Sequence, residues 1–331
     1  MKKTIAIILA SILLCFSVSL ETGAAGDYSY TNTNGEITIT KYSGSDSVVE
    51  IPAVIDGCPV TAIGDGAFRF NTAVTKVRIP DSVKEIRTRA FDYCSGITEI
   101  TIGEGVTYVG EFAFSQCVAL EEIVLSDSIT EFGNCVFFGD TALKRVTLPK
   151  GLEKISVSMF SGCTGLESID IPDSVKVIGA GAFGNCTSLA YVKVPEGVTK
   201  LDRNVFNGCT GLKTVEIPES VTSIDSSAFS YIAPEIKGKK GSFAETFAIS
   251  NGFAFTETEE EPKEEHVAGD VTCDGAVNAK DANILKQIIA GSLQIEEESN
   301  IFKVCDLNGD NILSAKDANI LVRIIAGAEI N

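Results

Sequence analysis

Met159 to Gly181 reads MFSGCTGLESIDIPDSVKVIGAG, and close variants of this phrase recur along the middle of the chain at a 23-residue interval. Its opening pair returns as Ala67-Phe68, Ala90-Phe91, Ala113-Phe114, Val136-Phe137, Ala182-Phe183, Val205-Phe206 and Ala228-Phe229. Within the phrase Leu166, Ile169 and Ile171 form an L-x-x-I-x-I pattern, the period-2 signature of a short strand. Pro172 ends that strand, and Val175 and Ile178 make a second apolar step before the next Ala-Phe. Leu189, Val192, Val194, Pro195, Val198 and Leu201 fill the same slots one turn later. A unit this short cannot bury its own apolar face. Stacked units cover one another, which predicts a β-rich solenoid with one continuous core. Seven full repeats, Ala67 to Ser227, exceed the three or so that such arrays need.

The cysteines follow the same ruler. Cys94, Cys117, Cys163, Cys186 and Cys209 share one slot, which Asp140 takes in the fourth repeat. A disulfide framework is one reading of such a pattern. Equivalent rungs of a solenoid, however, point the same way under crowding from their neighbours, which favours a ladder of small buried thiols. No histidine or second cysteine column completes a tetrahedral metal site there. Lys76, Arg78, Glu99, Thr101, Glu122, Lys144, Arg145, Asp170, Tyr191, Lys193 and Glu216 alternate with the apolar rungs and face outward. They read as a solvated face of mixed charge, or as a recognition surface for a protein or glycan, centred on Tyr191 with Lys193 and Lys213.

The repeats resemble the leucine-rich repeats of BspA-like bacterial surface proteins. IPDSVKVIGAGAFGNCTSL (171–189) carries the likeness, with GEITITKYSGSDSVVEIPAVIDGCPVTAIGDGAF as an entry cap and KGKKGSFAETFAISNGFAF as an exit cap. The resemblance implies a cap over 27–66 and a leucine-rich-repeat solenoid with its exit cap over 67–255.

The totals narrow the function. A formal net charge of −18 over 331 residues disfavours nucleic acid as a partner and is compatible with cation binding. The one histidine, His266, sits in an acidic run, so hydrolase chemistry built on a histidine base has almost nowhere to live. The chain has no tryptophan, the commonest sugar-stacking platform, though seven tyrosines remain. At the N-terminus, two lysines precede an apolar run from Ile5 to Val18 and then small residues. This reads as a secretory signal peptide over residues 1–25, cleaved after Ala25, and hence as an exported protein. A membrane anchor is the weaker alternative because the run is short for a span. A lipoprotein signal at Cys15 is weakened by Leu14, where a small residue is wanted.

From Thr256 to Ala268 the chain becomes TETEEEPKEEHVA, whose like charges cannot form a core and read as an extended tether. Two twelve-residue loops with metal-ligand spacing follow. Asp270, Thr272, Asp274, Asn278 and Asp281 put oxygen side chains at loop positions 1, 3, 5, 9 and 12. Asp306, Asn308, Asp310, Ser314 and Asp317 do the same in the second loop. Ala276 and Ile312 would contribute backbone carbonyls at position 7, and Gly275 and Asn311 suit the sharp turn before them. Hard oxygen donors with three carboxylates per loop favour calcium over zinc or copper. Asp/Asn-rich turns that merely cap helices would explain either loop alone, but not both in register. Thr272 is a poorer ligand than the usual Asp or Asn, so the first site is expected to be the weaker. Each loop leads into the same helix, AKDANILKQIIAG (279–291) and AKDANILVRIIAG (315–327).

This duplicated loop-plus-helix unit at 269–331 resembles a type I dockerin, a small all-α calcium-binding module of two F-hand-like units. Asp at position 12 is normal in that family. The resemblance implies two calcium ions and a cohesin module of a scaffoldin as partner. It places the cohesin-facing residues at Ala279, Lys280, Lys286 and Gln287, and at Ala315, Lys316, Val322 and Arg323. Cys273 and Cys305 each lie beside a loop, and a disulfide between them is possible in principle. Together these readings describe a secreted, non-catalytic cellulosomal subunit whose repeats present a binding or adhesion surface. The alternative is a polysaccharide-degrading component, although no pair of catalytic carboxylates stands out.

Overall fold

In the computed structural model the repeats trace one path: a three-residue strand, a two-residue strand, and a turn carrying the Ala-Phe pair. The structure describes residues 20–258, 269, 271, 277–290, 305–307 and 312–325. They fall into two compact units, Met1–Thr258 and Glu259–Asn331. On the first side run Lys76–Arg78, Glu99–Thr101, Glu122–Val124, Arg145–Thr147, Tyr191–Lys193 and Thr214–Glu216, each burying its middle residue. On the second run Glu85–Ile86, Tyr108–Val109, Glu131–Phe132, Lys154–Ile155, Val177–Ile178, Lys200–Leu201 and Ser223–Ile224. Neighbours pair in parallel one repeat apart, as in Tyr108 with Glu131, Lys154 with Val177 and Tyr191 with Thr214. On the third side the turns bond likewise: Phe91 N donates to Ala113 O and Phe160 N to Ala182 O, each at 2.8 Å.

That register stacks the phenylalanines. From Phe68 to Phe229 successive rings lie 4.8 to 5.7 Å apart and tilt by no more than 22°. Offset stacking of this kind adds to the stabilisation from burial alone. The ends are covered. β1 (Leu20–Ala25), β2 (Tyr28–Thr33) and β3 (Glu36–Tyr42) form an antiparallel entry sheet, and β3 pairs in parallel with Cys58–Ile63. Tyr42 stacks on Phe68 at 4.9 Å. At the exit, α1 (Phe243–Asn251) starts on a Ser242 cap and stops at Gly252, which takes the left-handed conformation that glycine tolerates. Phe247 and Phe253 close over Phe229.

Three details depart from the sequence reading. No strand forms at 166–171, in the very unit that displays the pattern most cleanly, although Ile169 stays buried. The outward residues there are Ser168 and Asp170, poor strand formers beside the Lys, Arg, Thr and Tyr of other repeats. Thr256 and Glu257, read as the start of the tether, instead pair with Lys237 and Gly238 in the final strand, Phe255–Glu257. Leu20–Ala25, read as the end of a signal peptide, forms the outer strand of the entry sheet. Residues 1–19, and 259–268 of the tether, lie outside the described residues.

Each turn from Ala67-Phe68 to Val205-Phe206 also has two left-handed residues, one just before the pair and one two residues after it, while the last turn keeps only Tyr231. Ser158 and Gly162 (φ 52 and 80), or Asn204 and Gly208 (φ 57 and 72), show the arrangement. A side chain there costs about 1–2 kcal/mol, which glycine avoids and asparagine reduces.

The cysteine slot is a ladder of buried thiols, not a disulfide framework. Cys94, Cys117, Cys163, Cys186 and Cys209 donate to the carbonyls of Phe68, Phe91, Phe137, Phe160 and Phe183, at 2.9 to 3.4 Å. Burial pushes the Cys94 thiol up to about 12, and Cys117 and Cys163 well above the usual thiol range. Asp140 breaks the ladder. Its Oδ1 accepts from Cys117 N at 2.8 Å, while Oδ2 is buried with no hydrogen-bond partner. Burial accordingly raises its carboxyl well above the ordinary range. A carboxyl raised in the fold contributes most in acid, and that contribution fades as pH rises from about 4 through its folded value. Asp140→Cys, which restores the rung, is therefore expected to stabilise the protein by roughly 1–3 kcal/mol at neutral pH. Its advantage over wild type should shrink on acidification, as read by denaturant melts across pH. An advantage independent of pH would show that Asp140 is ionised in the fold.

Candidate functional site

The second unit is built around α2 (Ala279–Ile289) and α3 (Ala315–Ile325). Both are amphipathic, and their buried stripes meet in a small core of Val271, Ala282, Leu285, Ile288, Cys305, Ala318 and Leu321. Each helix begins with the same device. The Asn278 side chain accepts from Lys280 N at 2.9 Å, and Asp281 Oδ2 accepts from Asn278 N at 2.7 Å, a capping box. In the copy, Ser314 Oγ accepts from Lys316 N at 3.2 Å, and Asp317 Oδ2 accepts from Ser314 N at 2.9 Å. Loop positions 9 and 12 are thus also the first capping residues of their helices.

Capping does not account for the whole arrangement. Asp281 and Asp317 are fully buried. Asp317 also accepts from Leu307 N at 3.1 Å through Oδ1, so its carboxylate joins the entry of the loop to its exit. Enclosing a carboxylate in a closed loop is unfavourable unless a compensating charge or several donors meet it. Of the oxygens read as ligands, the structure describes Asn278 and Asp281 of the first loop and Asp306, Ile312, Ser314 and Asp317 of the second, and among the described residues no three acidic, histidine or cysteine side chains gather as a metal site. Asp270, Thr272, Asp274, Ala276, Asn308 and Asp310 lie outside the described residues, as does Cys273.

The other face of each helix is solvated. Ala279, Lys280, Lys286 and Gln287 are exposed, and so are Ala315, Lys316, Val322 and Arg323. A spacing of seven residues is nearly two helical turns, so each set of four shares one side of its helix. Asn283 and Asn319 are exposed within the same stripes, between the two pairs. The sequence reading left them out of the face, although their identity in both copies, at positions the core does not use, was the available signal.

The outward face of the solenoid is largely self-compensated. Lys76 pairs with Glu99 and Arg145 with Glu122, each at 2.7 Å, and Lys144 with Glu121 at 2.9 Å. The Tyr191 hydroxyl donates to Glu216 at 2.8 Å, and Lys193 lies 3.6 Å from the same carboxylate. The spot centred on Tyr191 is thus satisfied from within. The hydrogen bond from Lys76 holds the Glu99 carboxyl below its ordinary range, and Lys144 does the same for Glu121. A groove of about 550 Å³ opens between Glu99–Thr101 and Glu122–Val124, where the strand ladder is interrupted, with Val124 exposed in it.

A parallel coil of short strands with apolar ladders defines a leucine-rich-repeat solenoid, here accompanied by a duplicated loop-helix module. The BspA type leucine rich repeat region matches residues 61–189 and 156–258, in 6 copies. The chain belongs to that family. The type I dockerin domain matches residues 268–326, so the chain also carries a C-terminal dockerin. Among solved structures, a leucine-rich repeat protein of T. pallidum is 27% identical, covering 71% of this chain and 98% of its own, with a TM-score of 0.45. A leucine-rich repeat protein of Bacteroides capillosus is 32% identical over 38% of this chain and 96% of its own, with a TM-score of 0.34. One of Bacteroides ovatus is 21% identical over 66% and 69%, with a TM-score of 0.45. At such TM-scores these neighbours add nothing to the site. No curated protein matches the chain. Among the described residues no helix is long and apolar enough to cross a membrane.

The double duty of Asp317 has a measurable consequence. Asp317→Ala is expected to lower calcium affinity at the second loop by roughly 100-fold or more. It should also destabilise the metal-free module by about 1–2 kcal/mol, through loss of the cap. Calorimetric titration and melts in EDTA read the two effects separately. An unchanged metal-free melt would show that the hydrogen bonds to Asp317 carry no weight of their own.

Proposed function

We propose that the protein is a non-catalytic subunit of a cellulosome-type assembly. Its dockerin holds two calcium ions and docks on a cohesin module of a scaffoldin, while its repeats present a binding surface outside the cell. The observation that carries this reading is the paired construction of α2 and α3. Each has a buried aspartate at its start and an exposed stripe matched in the other copy. Calcium, when bound, supplies the positive charge that draws the loop carboxylates together. The chain's own residues do the rest: the capping boxes start both helices in one register, and the apolar stripes bring them into a shared core. The outward stripes are then Ala279, Lys280, Asn283, Lys286 and Gln287, and Ala315, Lys316, Asn319, Val322 and Arg323. Near-equivalent stripes allow docking in either of two orientations, and Lys286-Gln287 against Val322-Arg323 is where they differ.

The alternative of a polysaccharide hydrolase finds little support in the electrostatics. Glycoside hydrolysis needs a general acid with a raised carboxyl that reaches substrate. Glu99 and Glu121 are held low by lysines, and Asp140, whose carboxyl is raised, is sealed in the core.

Two measurements test the proposal. A panel of cohesins is expected to bind the full chain in calcium and release it in EDTA. Lys280→Asp or Lys316→Asp alone should shift affinity by no more than about threefold, whereas the double variant should lose about 100-fold or more. Retention of a cohesin in EDTA, or full sensitivity to one single variant, would contradict calcium dependence or two-face docking respectively. The second measurement assays the full chain on plant polysaccharides. No turnover is expected, and robust hydrolysis would favour the alternative.

A further inference from the structure

The left-handed columns of the solenoid are filled unequally. In the later repeats they hold Ser158, Gly162, Gly181, Asn185, Asn204 and Gly208, small or polar residues suited to the conformation, and a bulky residue returns only at Tyr231 in the last turn. In the first repeats they hold Phe70, Arg89, Tyr93 and Phe112, at φ 63, 56, 60 and 55, between Gly66 and Gln116. Bulky side chains in this region are disfavoured by the backbone. Burial does not compensate, because Phe70 and Tyr93 are 59% and 47% exposed. The early repeats thus keep large side chains against local preference, on the turn face and away from the strand face.

These side chains are organised into one cluster. Arg69 places its guanidinium 4.5 Å from the Phe70 ring centre, and Arg89 does the same over Phe112 at 4.8 Å. Phe70 and Tyr93 lie 5.2 Å apart. Beneath them the buried carboxylate of Asp92 accepts from Arg69 Nε at 2.8 Å, with Arg89 Nε at 3.8 Å. One carboxylate serves two guanidinium groups, and the exposed acids nearby, Asp65 and Glu111, form no ion pair with either arginine among the described contacts. Two part-exposed guanidinium groups, framed by aromatic rings, thus share a single carboxylate among the described contacts.

We propose that this turn-face cluster of Arg69, Phe70, Arg89, Tyr93 and Phe112 is a docking site for a polypeptide that presents a carboxylate beside an apolar side chain. The guanidinium N–H groups that Asp92 does not engage call for a second carboxylate. Aromatic and arginine side chains on a rigid support are those that anchor protein interfaces. A sugar is the poorer fit: stacking needs a free ring face, and both phenylalanines already have a guanidinium over a face. The proposal rests on the reading of the repeats as a binding surface, and assigns that role to the turn face of the first repeats.

The backbone offers a discriminating variant. Phe70→Gly with Tyr93→Gly removes both rings while giving each position the residue its conformation prefers, so the double variant is expected to melt within about 3 °C of wild type or above it. Tyr231→Gly, at the equivalent position near the far end (φ 66), is the control. The full chain in calcium is used to select from a displayed random peptide library, and the winning peptides are resynthesised. They are expected to carry an acidic residue beside an apolar one, to bind the double variant at least tenfold more weakly, and to bind the Tyr231→Gly control unchanged. Cohesin binding should be the same in all three proteins, so failure of the dockerin reading is seen separately. A large drop in melting temperature would mean the rings serve the fold. Equal binding by wild type and double variant, failure to select any peptide, or ring-dependent binding of a polyuronate probe alone would each overturn the proposal.

Discussion

Turn-to-turn backbone hydrogen bonding at a fixed offset is the constraint on which the solenoid depends. Phe137 N reaches Met159 O at 2.9 Å, and the equivalent bond recurs at Phe91, Phe114, Phe160 and Phe183. Buried N–H and C=O groups must be paired, so no turn can lengthen or shorten without orphaning its neighbours' donors. The same offset sets ring upon ring and thiol upon phenylalanine carbonyl. Apolar burial supplies the driving force, but the hydrogen-bond register decides which apolar groups meet. It also makes the array one-dimensional, since each turn is completed only by those beside it.

Where the rule is obeyed, the surface is satisfied from within. Lysines and arginines of one repeat meet glutamates of a neighbouring one, and such exposed pairs contribute little stability while leaving few groups to greet a ligand. Recognition is better sought where the rule is broken. The interruptions include the missing strand at 166–171, the gaps in the ladders beside Val124 and between Phe132 and Lys154, and the turns whose left-handed positions carry rings. Asp140 is a breach of another kind, a polar group inside the core that no solvent or substrate reaches.

In the second unit, structure and ligand chemistry share residues. Asn278 and Asp281, and Ser314 and Asp317, start the helices as caps and occupy loop positions suited to a cation. A side chain that caps a helix is held in a narrow range of positions, so the loop oxygens are partly prearranged before a metal arrives. That coupling explains why the third residue of both helices is the same aspartate, Asp281 and Asp317. It leaves the exposed Lys280, Asn283 and their copies as the matched positions that neither capping nor packing requires.

The amino-acid sequence by itself determined the period, the apolar rungs, the thiol slot and the spacing of the loops. These are one-dimensional properties: a 23-residue interval or a twelve-residue ligand pattern is visible without knowing where the chain turns. Tertiary structure decided the rest. Leu166 to Ile171 shows the strand pattern yet forms no strand, keeping backbone bonds to its neighbours only at Glu167, because ladder formation depends on what lies alongside as well as on alternation. Thr256 and Glu257 look like tether but complete a sheet, because an open edge at Glu235–Gly238 lies within reach. The cluster around Asp92 was invisible because Arg69 comes from one repeat, and Asp92 and Phe112 from opposite ends of the next. Only the stacking of turns brings them together, and only the backbone angles show that Phe70 and Tyr93 stand where glycine would be at ease.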